Sequence, residues 1–499
     1  MMVSEVRAES APNVKARVFR WIRRLAIAAL LIIAGIGGVR IYDAQRKPPL
    51  GPWHTYVPAE MHARAIDHAT WDEYIAHENH LFDEVRRNVT DKLTPDERVA
   101  ANRYFIGSPV FPGHLRTDWN RSYTLAPKGT PRGVAVMLHG LTDSPYSLRH
   151  IAERYRRDGF VVVSIRLPGH GTVPSSLTDV TAQDWEAAAR LAVREARRRV
   201  PAPAPLHIVG YSNGGALALQ YSLEALRDPN LPQADRLILI SPMIGITQFA
   251  RFAGLAALPS ILPPFEKAAW LDIIPEFNPF KYNSFPVNGA RQSWRSTQDV
   301  QQEMAQASRR NQLASLPPVL TFQSVLDFTV STSAIVSTLY AQLPDNGSEL
   351  VLFDINRTTQ LSPLVRAAMR DALRRLTPAP PLHYRFTVLT NTVTTSLVDE
   401  RSTPPDSTET AVKPTGLDYP ADIYSLSHVA LPFPETDSLY GRTPDPNDDV
   451  GVHLGAQSIR GETGGLVVGA AALTRLSWNP FYPYIAARID QLAGVANAP

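Results

Sequence analysis

The chain of 499 residues contains no cysteine. Disulfides, thiolate nucleophiles and cysteine-held metals are therefore excluded. That fits an oxidising compartment without requiring one. Net charge is also small: 50 Lys+Arg against 47 Asp+Glu leave +3. Residues 1–24 carry six Lys/Arg and two Asp/Glu, a local +4, so the remainder is near −1. No basic face for nucleic acid is left. There is no internal repeat and no glycine-rich phosphate loop. His77-Glu78-Asn79-His80 has no identifiable further ligand and reads as a solvated helix face, so neither metal nor cofactor is expected. Long uncharged apolar runs are scarce, and Leu25 to Val39 stands out. At ~1.5 Å per residue it covers about 22 Å, less than the ~30 Å of a hydrocarbon core. Snorkelling of Arg24 and Arg40, with Trp21 and Tyr42 as interfacial anchors, closes the gap. No small-x-small cleavage site follows, which favours an uncleaved anchor over a cleaved signal peptide or a buried helix. Lys15, Arg17, Arg20, Arg23 and Arg24 precede it and predict a cytoplasmic N-terminus. The bulk of the chain then lies outside the cytoplasm, periplasmic or extracellular.

What is present is an ordinary globular composition, 44% hydrophobic, with an abundance of proline at 43 residues. Proline predicts many irregular connections. Residues 43–60 read as a Pro-containing linker. Residues 61–105 read as helical, with Trp71, Tyr74, Leu81, Phe82 and Val85 at three-and-four spacing. From about 118, strands alternate with helices. Strands are expected at 133–138, 160–165, 206–209, 236–240, 318–322 and 349–353, with helices at 145–158, 181–199, after 212, and near 331–342. Continuous apolar strands between amphipathic helices imply a mostly parallel sheet covered on both faces. Residues 245–312 interrupt this rhythm. They carry Phe249, Phe252, Phe265, Trp270, Phe277, Phe280, Tyr282, Phe285 and Trp294, and read as a cap over the carboxyl edge of the sheet. A second insertion spans 357–420; its Thr/Ser/Pro/Asp-rich part, 392–418, reads as a loop.

Chemistry concentrates at Gly210-Tyr211-Ser212-Asn213-Gly214. G-x-S-x-G alone is a weak signal. Here an apolar strand precedes it and a small-residue helix start follows, the geometry that lifts a serine oxygen above a sheet. A serine hydroxyl needs a base, and the base needs an orienting carboxylate. Both are expected later in the chain, in the order Ser, acid, His. Three histidines follow. His383 sits in an apparent strand and His453 in Gly451-Val452-His453-Leu454. His428 sits at a loop boundary after the last sheet strand and is the favoured base. For the acid, Asp327 is favoured at a strand's carboxyl end; Asp354 is the runner-up. An oxyanion hole needs two N–H groups. Asn213 and Leu141, the latter in His139-Gly140-Leu141, are the candidates. His139 precedes the serine and is expected to hold that loop.

With these residues in view, the chain resembles the α/β-hydrolase family, most closely its monoacylglycerol-lipase-like branch, which includes serine aminopeptidase-like members. The resemblance rests on His139-Gly140-Leu141, Leu167-Pro168-Gly169-His170-Gly171, Gly210-Tyr211-Ser212-Asn213-Gly214, Asp327 and His428. It spans roughly 118–340 and, more loosely, 420–495. It implies Ser212 as nucleophile, His428 as base, Asp327 as acid, and a cap at 245–312. The implied fold is α/β, an α/β-hydrolase sheet with helices on both faces and a helical cap; the N-terminal membrane anchor and the helical extension, read from the residues themselves, are not part of that core fold. The division expected is a basic tail at 1–24, an anchor at 25–41, a linker and helical extension at 42–117, and a hydrolase domain at 118–495. The implied activity is carboxylic ester hydrolysis, lipase or esterase in type, on a small or lipid-like ester, with no cofactor. A peptidase or amidase and an acyltransferase use the same triad. A non-catalytic scaffold would not need all three residues.

Overall fold

The computed structural model describes residues 14–245, 263–359, 361–456, 466, 469 and 473–494. A first helix, Val14–Arg46, contains a 22-residue stretch, Val18–Val39, of mean hydropathy 2.0, none of whose described residues is buried. At ~1.5 Å per residue that stretch is about 33 Å long, enough to cross a bilayer. The uncharged run alone understates this length, because the helix continues through Trp21 and Ile22.

The expected linker at 43–60 is instead built into the protein. Helix Val14–Arg46 runs into it, and His54, Pro58 and Glu60 are buried. The helical extension is also shorter than expected. Helices cover Ala63–His68 and Trp71–Asn88, and only short turns follow to 105. The second helix begins with a capping box: Glu73 N–H donates to Thr70 Oγ1 and Thr70 N–H to Glu73. Trp71, Tyr74, Leu81 and Val85 are buried as the spacing requires. Glu78, read as part of a solvated face, points inward to Arg166 and Ser122.

Twelve strands follow among the described residues. They are β1 Tyr123–Leu125, β2 Gly133–Leu138, β3 Phe160–Ile165, β4 Leu206–Tyr211, β5 Arg236–Ile240, β6 Trp270–Asp272, β7 Phe285–Pro286, β8 Val319–Ser324, β9 Glu349–Phe353, β10 Arg385–Thr392, β11 Thr395–Thr403 and β12 Ala411–Asp418. Ten form one sheet in the order β1-β3-β2-β4-β5-β8-β9-β10-β11-β12. From β3 to β10 neighbours are parallel; β1 and β12 are the edges, and β1, β11 and β12 pair antiparallel. The pleat divides each strand between two cores. Val134, Val136 and Leu138 face helices Ala182–Arg199 and Asn213–Ala225, whereas Ala135 and Met137 face Tyr155, Phe481, Ile485 and Ile489.

Residues 392–418, expected as a loop, form β11 and β12. Their signal is weak for a physical reason. β12 is an edge strand exposed along most of its length, so it needs no apolar alternation, and Lys413 and Pro414 discourage further pairing.

The cap contains a two-stranded β6–β7 hairpin and one long helix, Val287–Arg309. Phe249 and Phe252, and the side chain of Phe265, lie outside the described residues. Of the other cap rings, Trp270, Phe277, Phe280 and Tyr282 are buried, and Phe285 and Trp294 are half-buried. Phe277 and Phe280 pack with Tyr146, Phe433 and Tyr440, and Trp270 meets His54 edge-on at 4.8 Å. They attach the cap to the sheet domain and to the extension.

The loop that carries His428 is fastened by Asp437, which is fully buried. Asp437 accepts from Tyr146 Oη (3.0 Å), Arg149 Nη1 (2.6 Å), His150 Nε2 (2.8 Å) and the N–H groups of Leu439 and Tyr440 (2.9 and 2.7 Å). Burial pushes its carboxyl up, but Arg149, His150 and the Tyr440 N–H outweigh burial and hold it below the usual carboxylate range. A lowered folded-state value contributes stability above the unfolded value of ~3.9 that is lost as pH falls through the folded one. Asp437→Asn is therefore expected to cost roughly 1–3 kcal/mol at pH 7, the price of leaving buried donors poorly paired. It should also flatten the acid limb of a stability-versus-pH curve measured by urea unfolding. An unchanged midpoint at pH 7 would contradict this.

Candidate active site

Strand β4 ends at Tyr211 and a helix begins at Asn213, so Ser212 alone makes the turn. Its φ of 54° and ψ of −114° are strained for a non-glycine residue. Ser212 N–H donates to Ile240 O (3.0 Å), and Met243 N–H donates to Ser212 O (2.9 Å). The flanking glycines are required by close approach. A Cβ on Gly214 would lie 1.9 Å from Leu138 O, and one on Gly210 would lie 2.3 Å from Gly214 O.

His428 arrives on the loop after β12. Leu426 O accepts from Ser324 Oγ (2.8 Å), Ser427 Oγ donates to Arg475 O (2.7 Å), and Tyr211 Oη donates to His428 O (3.3 Å). The imidazole is thereby set between the two other candidates. Its Nε2 lies 3.0 Å from Ser212 Oγ and its Nδ1 lies 2.8 Å from Asp327 Oδ2. With Nδ1–H donating to the carboxylate, Nε2 of the neutral ring is free to accept from the serine hydroxyl.

Asp327 lies in the loop after β8, three residues beyond the strand. Its Oδ1 accepts the N–H groups of Thr329 (2.8 Å) and Val330 (3.0 Å), and its Oδ2 also accepts from Gln323 Nε2 (3.2 Å). Burial pushes the carboxyl up; His428 and these donors outweigh burial and hold it below the usual range. It therefore stays ionised beside the imidazole.

The other candidates lie elsewhere. Asp354 pairs with Arg357 at 2.7 Å and accepts from Thr390 Oγ1 at 2.8 Å. His383 pairs with Asp406, and His453 Nδ1 donates to Ser438 O. His139 is buried: its Nδ1–H donates to Gly140 O (2.9 Å) and its Nε2 accepts Leu167 N–H (3.0 Å). Burial drives its pKa well below the ordinary value, so the ring stays neutral and ties two loops together.

The N–H of Asn213, at the first turn of its helix, and that of Leu141 have no hydrogen-bond partner among the described residues. Among those residues no group of His, Asp and Glu is arranged to hold a metal ion. Sequence reasoning missed Tyr211, Gln323, Ser324 and Arg475 as supports of the candidate residues Asp327 and His428. The contacts of Tyr211, Ser324 and Arg475 join segments far apart in the chain, where no local pattern signals them; Gln323 is four residues from Asp327.

A family model described as the alpha/beta hydrolase family matches residues 135–390, just over half of the chain. The chain belongs to the alpha/beta hydrolase family. It is 35% identical over 89 residues to the thermostable monoacylglycerol lipase of Bacillus sp. (strain H-257). That stretch is 18% of this chain and 34% of the relative, so about a third of the lipase's length is spanned. Among solved structures, one from work on the metagenome-derived lipolytic enzymes LipS and LipT is 21% identical, with a TM-score of 0.37, covering 52% of this chain and 97% of that one. A soluble variant of the monoglyceride lipase of Saccharomyces cerevisiae is 14% identical, with a TM-score of 0.37, covering 46% and 81%.

Proposed function

We propose that this family member is a membrane-anchored serine hydrolase that cleaves carboxylic esters through an acyl-enzyme. The observation that carries the reading is the continuous hydrogen-bonded line from Ser212 Oγ through His428 to Asp327, at 3.0 and 2.8 Å. In the first half-reaction Ser212 Oγ attacks the ester carbonyl carbon while His428 Nε2 takes its proton. Asp327 holds the ring's tautomer and stabilises the imidazolium. The carbonyl oxygen becomes an oxyanion that accepts the N–H groups of Leu141 and Asn213. On collapse the C–O bond to the alcohol breaks, and His428 returns the proton to the leaving oxygen. In the second half-reaction water replaces the alcohol, attacks the acyl carbon and releases the acid, regenerating Ser212.

The partial match to a monoacylglycerol lipase supports an ester of a fatty acyl chain with a small alcohol as substrate. A series of p-nitrophenyl esters from acetyl to octanoyl tests this. Turnover of the esters is expected, with kcat/KM rising with chain length. Failure on every ester, with turnover of p-nitroanilides, would place the chain among amidases instead.

The exposed apolar helix Val14–Arg46 and the basic residues before its span support a single-pass anchor with a cytoplasmic N-terminus and the hydrolase outside. Alkaline phosphatase fused after Pro499 is expected to be active. A fluorescent fusion that lights up only in the cytoplasm would overturn this topology. The division into a basic tail at 1–24, an anchor at 25–41 and a domain at 118–495 remains part of this proposal. The extension at 42–117 is best read with the hydrolase domain, given its buried contacts.

A further inference from the structure

Beside the triad lies a charged pair that the reaction does not use. Asp143 is buried, two residues beyond Leu141 in the loop after β2. Its Oδ2 faces Nζ of the cap residue Lys281 at 3.5 Å. The next cap residue, Tyr282, donates its N–H to Thr142 O (2.8 Å). The preceding one, Phe280, stacks on Tyr146, with ring centroids 3.9 Å apart and planes 11° apart. Three consecutive cap residues thus hold positions 142, 143 and 146 by an ion pair, a hydrogen bond and a ring stack.

The loop needs this hold. Thr142 has φ of 62°, a left-handed conformation costly for a β-branched residue. It immediately follows Leu141, the candidate oxyanion donor. Left alone, Thr142 would relax toward negative φ and swing the Leu141 N–H.

The cap side of the contact is densely hydrogen-bonded. Asn278 Oδ1 accepts the N–H groups of Phe280 (3.0 Å) and Lys281 (3.1 Å), and Asn278 Nδ2 donates to Tyr440 Oη (2.8 Å). Buried Glu276 accepts the N–H groups of Asn283 (3.0 Å) and Ser284 (2.7 Å). From the extension, Arg103 donates to Asn278 O (3.3 Å), and Asn120, just beyond it, donates to Pro279 O (3.0 Å). These hydrogen bonds tie residues 276–284 of the cap to one another and to their neighbours.

We infer that Lys281 and Asp143 are positioning residues, forming with Tyr282 a clasp by which the cap sets the Leu141 N–H of the oxyanion hole. This rests on the ester-hydrolase reading. Burial pushes the Asp143 carboxyl up, and the Lys281 ammonium pulls it back toward ionisation. Without Lys281 the carboxylate is an unpaired buried charge, and the loop shifts to rehydrate it. Misplacing a reacting group by 1 Å costs on the order of 10²-fold in rate.

The test compares wild type with Lys281→Met, Lys281→Arg and the double variant D143N/K281M, which buries no charge and so protects against simple misfolding. p-Nitrophenyl acetate reports kcat and KM. A trifluoromethyl ketone reports the hole directly: Ser212 Oγ bonds to its carbonyl carbon, His428 takes the serine proton, and the resulting hemiketal oxyanion must be held. In Lys281→Met and in the double variant, kcat should fall about tenfold or more with KM within about twofold. Affinity for the ketone should fall in parallel. Lys281→Arg should restore kcat to within about threefold of wild type. A double variant with wild-type kcat and ketone affinity would overturn the clasp, as would an equal loss in Lys281→Arg. A wild type inert toward every ester would instead fail the ester-hydrolase reading.

Discussion

Ser212→Ala is expected to lower ester turnover by on the order of 10⁶-fold, with the thermal midpoint unchanged or slightly raised. The size of the effect follows from division of labour. In the proposed mechanism His428 takes its proton from the Ser212 hydroxyl, 3.0 Å away, and Asp327 acts through His428. Removing the oxygen disables all three at once, so His428→Ala added to Ser212→Ala should cost almost nothing more. Stability should not suffer, because Ser212 is held in the turn by backbone bonds that alanine keeps. Stopped-assay turnover of p-nitrophenyl acetate with purified, melted-in-parallel protein measures both quantities. Asp327→Asn should be strongly impaired and Asp354→Asn should not. The reverse order would move the acid to β9.

Arg166→Met is expected to be the most damaging substitution for the fold, at about 3–5 kcal/mol, the cost of leaving buried charges without their partner. Arg166 is almost wholly buried. Its guanidinium binds Glu60 through two nitrogens at 2.8 and 3.0 Å, Glu78 at 3.1 Å and His170 O at 2.9 Å. Glu60 in turn accepts Gly169 N–H at 2.9 Å. Three distant stretches, the entry segment at 60, the helix at 78 and the loop after β3, therefore meet on one cation. Burial pushes the Glu78 carboxyl up and Arg166 draws it back. With the cation gone, two carboxylates must protonate or pull water inward. Urea unfolding of the whole chain in detergent measures the loss. The triple variant E60Q/R166M/E78Q, which removes the charges together, should recover much of it. A single variant within about 1 kcal/mol of wild type would contradict the network's role. The same network predicts that a chain starting at 118 will not fold, whereas one starting near Tyr42 will, since it keeps Glu60 and Glu78.

These two effects mark what was legible in the sequence. The serine was plain because strand, elbow and helix are contiguous, and because Gly210 and Gly214 answer local sterics at the turn. Six parallel strands were visible as unbroken apolar runs, the pattern of strands buried on both faces. His428 and Asp327 could be chosen by position after a strand end, although the supports that aim them come from Tyr211, Ser324 and Arg475. The Arg166–Glu60–Glu78 network left no trace, because a buried ion triad spread over residues 60–166 looks like three ordinary surface charges. β11 and β12 were hidden for the opposite reason: β12 is an exposed edge, β11 is only partly buried beside it, and strands rich in Thr, Ser, Lys and Pro resemble a loop. The cap's aromatics were seen, but composition cannot say whether a ring lines a pocket or cements a joint. Phe280 on Tyr146 is a joint.

The most direct measurement is labelling with a fluorophosphonate, followed by peptide mass spectrometry. The wild-type chain should carry a single phosphonyl adduct on Ser212, formed within minutes. His428→Ala should be labelled far more slowly, and Ser212→Ala not at all. An unlabelled wild type, or an adduct on another residue that persists in Ser212→Ala, would contradict the assignment of Ser212 as nucleophile.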